Sequence, residues 1–263
     1  MRNSLKSVCK LIQASQSDMP VEQQFLNDLK RSIELTDLVN VRMPSKTYKP
    51  SSMNCMRNMY YQRLGVEVYE DNTAELIGIC ESGSDRHERL QAAVSEMKNN
   101  GMDCEYVDVA EYIESRNISD IEIVKKQGYE TKLYHNRLIM SFLCDGIIRY
   151  HGKYYILEIK TESVYKWINR DRVADAHINQ ATAYSLALGI PQVLFVYVNR
   201  DTCGMKAFML DVTDADRERL QNTIIECEKC VLNKKLPDKP EGDIKKMCQY
   251  CAYKKYCEGD YSG

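Results

Sequence analysis

Cys144-Asp145-Gly146-Ile147-Ile148-Arg149-Tyr150-His151-Gly152-Lys153-Tyr154-Tyr155-Ile156-Leu157-Glu158-Ile159-Lys160 is the stretch on which the fold turns. Two apolar strands flank a tight turn, and each carries one carboxylate. His151-Gly152 fits a two-residue hairpin loop, because glycine readily adopts the positive φ such a loop needs. That loop pairs Tyr150 with Lys153, and the same register sets Asp145 opposite Glu158. Directly opposed Cβ atoms lie about 4.5–5.5 Å apart. Side chains alternate along a strand, so Glu158 and Lys160 share a face. Two acids and a lysine thus meet on one face of a sheet, where they can hold a hard divalent cation and activate a water.

The flanking sequence supplies the rest of an α/β pattern. Residues 1–47 read as polar-rich helix with periodic Leu26, Leu29, Ile33 and Leu38. Lys49-Pro50-Ser51-Ser52 can cap a new helix that carries Cys55, Arg57, Tyr60, Tyr61 and Arg63 and stops at Gly65. The next helix is expected from Ser82 or Ser84 to Asn99, with His87 in its first turn. A short strand at 105–109 and a short helix at 110–116 follow. Three strands are then expected: 122–126 or 130–134, 138–150 and 154–161. One helix over 164–188 leads to the apolar strand 192–198, a turn, the strand 206–212, and a long helix capped by Thr213 or Asp214 that runs to Asn233. A sheet flanked by helices fits this order.

Length allows one large domain, or one domain with appendages, in 263 residues. The net charge of −2 gives no global basic field, so a polyanion would have to be held by local patches and bound metal. The apolar runs are far short of a membrane span, and that in Met1–Gln13 is too short for a signal peptide. The 11 cysteines are an odd number in a chain too long for a small disulfide scaffold. Together these features point to a reducing cytoplasm, with some cysteines as metal ligands and others as small core residues.

Each candidate residue also has a plainer reading. Phe142-Leu143-Cys144 and Ile156-Leu157 mark Asp145 and Glu158 as buried, and buried acids are seldom left unpaired. An ion pair between Glu158 and Lys160 would meet that need without any chemistry. His87 gains weight only from its setting, Gly83-Ser84-Asp85-Arg86-His87, and His135, His151 and His177 read as structural or exposed. Gln180 and Tyr184 share a helix face and either pack in the core or hydrogen-bond a phosphate or the lysine. Lys166, Trp167 and Arg170 place an aromatic beside cations, which can stack a single-stranded base. Arg57, Arg63, Arg172, Lys254 and Lys255 are solvated charges or phosphate contacts.

Cys248-Gln-Tyr-Cys251 followed by Cys257 sets three thiols close together in a basic, aromatic tail. Sites of this kind take four sulfur ligands. Cys227 and Cys230 would complete a zinc-ribbon spacing, and Cys55 would complete a staple from an early helix to the tail. The second set is favoured. Cys227 and Cys230 lie inside an apparently continuous helix, and using them leaves Cys257 unexplained. Soft thiolates suit zinc and iron–sulfur clusters alike.

In this order the motifs resemble the PD-(D/E)XK nuclease superfamily, and within it the RecB-like exonucleases that carry an iron–sulfur cluster. The likeness is greatest to the CRISPR-associated exonuclease Cas-four and the nuclease domain of AddB. It covers Pro50 to Cys257 and rests on Pro50-Ser51-Ser52-Met53-Asn54-Cys55, His87, Asp145-Gly146, Glu158-Ile159-Lys160, Gln180 with Tyr184, and Cys248, Cys251 and Cys257. Residues 1–49 have no counterpart and form a separate helical segment, with 50–263 as the nuclease domain.

The resemblance implies a restriction-endonuclease-like core, a central mixed β-sheet flanked by helices, with the N- and C-terminal segments joined by a cysteine-ligated cluster. It implies a metal-dependent DNA exonuclease acting on single-stranded DNA or DNA ends. Lys160, Glu158, Asp145, Gln180 and Tyr184 would be catalytic. His87, Asp145, Glu158 and the carbonyl of Ile159 would hold Mn²⁺ or Mg²⁺. Cys55, Cys248, Cys251 and Cys257 would hold a 4Fe–4S cluster. Its setting would be CRISPR adaptation or phage or cellular recombination, with proteins of those pathways as partners, an oligomer allowed and no membrane. A non-cutting DNA-binding accessory protein with a zinc or iron–sulfur site is the alternative.

Overall fold

The computed structural model describes residues 19–38, 44–68 and 72–262. The chain forms two compact units, one of Met1–Arg42 with Glu70–Ser82, the other of Met43–Tyr69 with Gly83–Gly263. The expectations for residues 1–18 and 39–43 lie outside the described residues.

In the first unit, α1 (Val21–Leu38) carries Lys30, which pairs with Glu75 at 2.5 Å. Glu34 accepts the backbone N–H of Ala74, and Asp37 accepts from the side chain of Asn72.

In the second unit, α2 (Met56–Leu64) ends at Gly65, whose φ of 69° gives the left-handed cap that glycine favours. The helix bearing His87 is α3 (Ala74–Ser95), which belongs to this unit from Gly83 onward. It starts about two turns earlier than expected, so His87 lies in mid-helix rather than in a first turn. Strand β1 (Cys104–Val107) and α4 (Val109–Ser115) follow, with Asp108 capping α4 by accepting from Ala110 and Glu111. Both hairpin segments offered as alternatives are strands, β2 (Ile121–Gln127) and β3 (Glu130–His135).

The single strand expected over 138–150 is two, β4 (Met140–Cys144) and β5 (Gly146–Tyr150), broken at Asp145. They belong to different sheets. A three-stranded antiparallel sheet runs β2-β3-β4, and a five-stranded mixed sheet runs β1-β5-β6-β7-β8, with β6 (Lys153–Glu162), β7 (Gln192–Asn199) and β8 (Met205–Asp211). The β5–β6 hairpin has the register read from its loop, from Tyr150 with Lys153 to Gly146 with Leu157. His151 and Gly152 have φ of 47° and 76°, as a type I′ turn requires.

β6 and β7 are parallel and need a crossover. The chain makes it through two helices rather than one, α5 (Val164–Ile168) and α6 (Asp175–Leu188). The linker is pinned by Lys206, whose ammonium donates to the carbonyls of Trp167, Ile168 and Arg170. Thr213 caps α7 (Asp214–Leu232) with a capping box, and the tail ends in α8 (Lys254–Glu258).

The five-stranded sheet is covered on both faces. On one, Ile148, Leu157, Ile159 and Val198 pack with Leu90 and Val94 of α3 and with Met97 just beyond it. On the other, Ile147, Ile156, Val193 and Phe195 join Ala181 and Tyr184 of α6 in the main core. Glu158 and Lys160 project from that second face, because they alternate with Leu157 and Ile159.

Candidate active site

Asp145 sits where the chain leaves one sheet for the other. Its Oδ2 accepts the backbone N–H of Ile159 at 2.7 Å, tying the bend to β6. Its carbonyl accepts from the Gln91 amide and the Tyr106 hydroxyl. Gly146 makes room for that hydroxyl, since a Cβ there would lie 2.7 Å from the Tyr106 ring. Gly146→Ala is therefore expected to displace Tyr106 and destabilise the fold by about 1–3 kcal/mol, as overpacking does. Thermal unfolding measures it.

Glu158 is 2% exposed. Burial and the charge of Asp145 push its carboxyl up, opposed by Lys160. Lys160 Nζ lies 2.6 Å from Glu158 Oε1 and 3.1 Å from Gln180 Oε1. The Gln180 amide donates to Glu158 Oε1 at 2.7 Å and to the Tyr184 hydroxyl at 2.9 Å, and Tyr184 donates to the Leu143 carbonyl. Gln180 thus fixes both members of the ion pair, while Tyr184 acts through Gln180. The ion pair is also what the plainer sequence reading required.

His87 Nδ1 lies 3.3 Å from Asp145 Oδ1. Burial disfavours the imidazolium, but the hydrogen bond and charge of Asp145 outweigh it and raise the pKa. Glu130 completes this group. Ligand atoms of His87, Glu130 and Asp145 all lie within 4.8 Å of one another. Burial, then the charge of Asp145, raises the Glu130 carboxyl. Two oxygen donors and one imidazole nitrogen suit a divalent cation, with Mn²⁺ favoured over Mg²⁺ by the nitrogen. Sequence reasoning missed Glu130, which lies in the other sheet; its only signal was a carboxylate at the start of a strand.

The carriers of the base-stacking idea are otherwise engaged. Trp167 donates to the Tyr197 carbonyl and has Lys206 over its ring. Arg170 pairs with the buried Glu162 and lies 4.9 Å from the Tyr197 ring centroid. Of the other cations named, Arg63 pairs with Glu228, Arg172 with Asp175 and Lys254 with Glu258. Arg57 is buried and donates to the carbonyls of Pro237 and Cys257 and to Asp260. Lys166 has no ion-pair partner among the described residues.

Away from this site, Cys55, Cys248, Cys251 and Cys257 line one cavity of about 180 Å³. Cys55 is the N-cap of α2, and the side chains of Asn58 and Arg57 each donate towards a tail sulfur, Cys251 and Cys257, at 3.6 Å. Cys227, of the alternative set, is fully buried, and its pKa is raised to about 11, mainly by burial.

No family model matches the chain, and no curated protein matches it. Among solved structures it is similar to the protein SSO0001, at TM-score 0.48 and 15% identity over 90% of this chain and 98% of that one. It is also similar to an alkaline exonuclease, LHK-Exo, from Laribacter hongkongensis, at TM-score 0.43 and 13% identity over 73% of this chain and 90% of that one. The same exonuclease in complex with dAMP gives TM-score 0.41 and 14% identity over 72% and 91%. No described helix is long and apolar enough to cross a membrane.

Proposed function

We propose that this chain is a RecB-like, metal-dependent deoxyribonuclease of the PD-(D/E)XK kind that degrades DNA from single strands or ends. The observation that carries the reading is the His87–Glu130–Asp145 group, with the Glu158–Lys160 pair close enough for Asp145 to raise the Glu158 carboxyl. His87, Glu130, Asp145, Glu158 and the Ile159 carbonyl would hold the cation. A divalent cation held there, Mn²⁺ or Mg²⁺, would supply an acidified water and would offset charge developing on the phosphate. Lys160 directs its ammonium at that water or at the phosphate, and Gln180 holds the ammonium in place. The setting proposed is a reducing cytoplasm, in CRISPR adaptation or recombination.

The cysteine cavity is proposed to hold a 4Fe–4S cluster. Tyr61 lines it, is fully buried, and has a hydroxyl with no hydrogen-bond partner among the described residues. A polar guest would supply that partner. Zinc is the alternative occupant of the same four thiols, since soft thiolates suit both.

End-labelled single- and double-stranded DNA, incubated with Mn²⁺, Mg²⁺ or EDTA, tests the activity. Progressive loss from an end with metal and none with EDTA is expected. Intact DNA under every metal would favour the non-cutting accessory reading. Glu130→Gln should weaken Mn²⁺ binding by at least about 10–100-fold, the loss that follows from removing even an outer-shell partner of a metal ligand; calorimetric titration measures it.

A further inference from the structure

His177 has no part in the chemistry above, yet its surroundings are specific. The imidazole stacks on Phe195 and Tyr197, with interplanar angles of 13° and 22°. Phe195 pairs with Glu158 and Tyr197 with Lys160 across β6 and β7, so the ring lies over the sheet face that bears both residues. On α6 it is one turn before Gln180, in the same row as Gln180 and Tyr184.

A short relay favours one tautomer. The Tyr197 hydroxyl accepts the backbone N–H of Ala174 at 3.0 Å and lies 2.9 Å from His177 Nδ1. The backbone group can only donate. The arrangement that uses the hydroxyl's own proton sends it to Nδ1, which leaves the imidazole proton on Nε2. No described group partners Nε2. Burial, with Lys160, Arg170 and Lys166 nearby, pushes the imidazole pKa down to about 3, so the ring is neutral at neutral pH. An N–H donor with no described partner, set beside cations, suits an anionic oxygen.

We propose that His177 is a phosphate-binding residue, an uncharged Nε2–H donor to a non-bridging oxygen of the DNA strand engaged by Lys160. The proposal rests on the nuclease reading and adds a substrate contact to it. A neutral donor binds that oxygen without a further buried charge to compensate. Hydrogen bonds to charged groups are worth about 1.5–3 kcal/mol, so their loss weakens binding about ten-fold or more.

Histidine-selective ¹⁵N spectra of the full chain in EDTA should show the Nε2–H form of His177, and Tyr197→Phe should mix the tautomers. Deoxythymidine monophosphate, added without metal so that nothing is cut, should shift His177 Nε2. With Mn²⁺, His177→Phe keeps the stacking and should raise KM about ten-fold with little change in kcat. His177→Gln, which restores an N–H, should recover part of that loss. An unmoved Nε2 resonance, or an unchanged KM in an active His177→Phe enzyme, overturns the proposal and leaves the nuclease reading standing. A wild-type chain that cuts nothing overturns the nuclease reading instead.

Discussion

Lys160→Ala is expected to remove cleavage and to weaken the fold at once. Glu158 is buried beneath the ammonium and, among the described residues, keeps Gln180 alone as a partner when the ammonium is lost. Breaking a buried ion pair from one side costs about 3–5 kcal/mol, because an uncompensated charge remains. The carboxyl, already raised, then holds its proton more tightly and becomes a poorer metal ligand. Removing one transition-state donor costs about 10²–10³ in rate, so the two losses together should lower kcat/KM by at least about 10³-fold, near 4 kcal/mol. Lys160→Met with Glu158→Gln separates the effects. That pair removes both charges, so it should recover much of the stability and none of the activity. Melting temperature and cleavage, measured on both variants, give the answer. Normal cleavage by folded Lys160→Ala would reduce the pair to a structural ion pair.

Local chemistry made much of this site legible, and long-range packing hid the rest. His151-Gly152 fixes the hairpin register because a two-residue loop admits one pairing, and that alone set Asp145 against Glu158. The break at Asp145 was read through, although Asp145-Gly146 is a turn signal, because Phe142-Leu143-Cys144 and Ile147-Ile148 on either side look like one strand whichever sheet each half joins. Glu130 could not be found for the same reason. Its approach to His87 depends on how the smaller sheet meets α3, which no local spacing encodes. Trp167 and Arg170 misled because an aromatic among cations looks alike whether it awaits a base or already carries Lys206 and Glu162. The start of α3 was missed because Gly83-Ser84 imitates a helix start, while both residues sit inside the helix.

Cys248→Ala is expected to release the tail. Cys55 and Cys248 are separated by nearly the whole second unit, so a bond through a shared cluster closes a loop of about 190 residues. By the loop-closure relation for covalent cross-links, such a closure is worth about 5 kcal/mol. Arg57 holds the same tail through Pro237, Cys257 and Asp260 without any metal, so the variant should still fold. The loss should therefore fall on the tail: faster proteolysis beyond Pro237, a lower melting temperature, and loss of iron and acid-labile sulfide in step. Cys230→Ser, on α7 and outside the cavity lining, is the control and should keep both. Equimolar zinc with no sulfide after anaerobic purification would replace the cluster by a zinc site. Iron retained in Cys248→Ala would remove that residue from the ligand set.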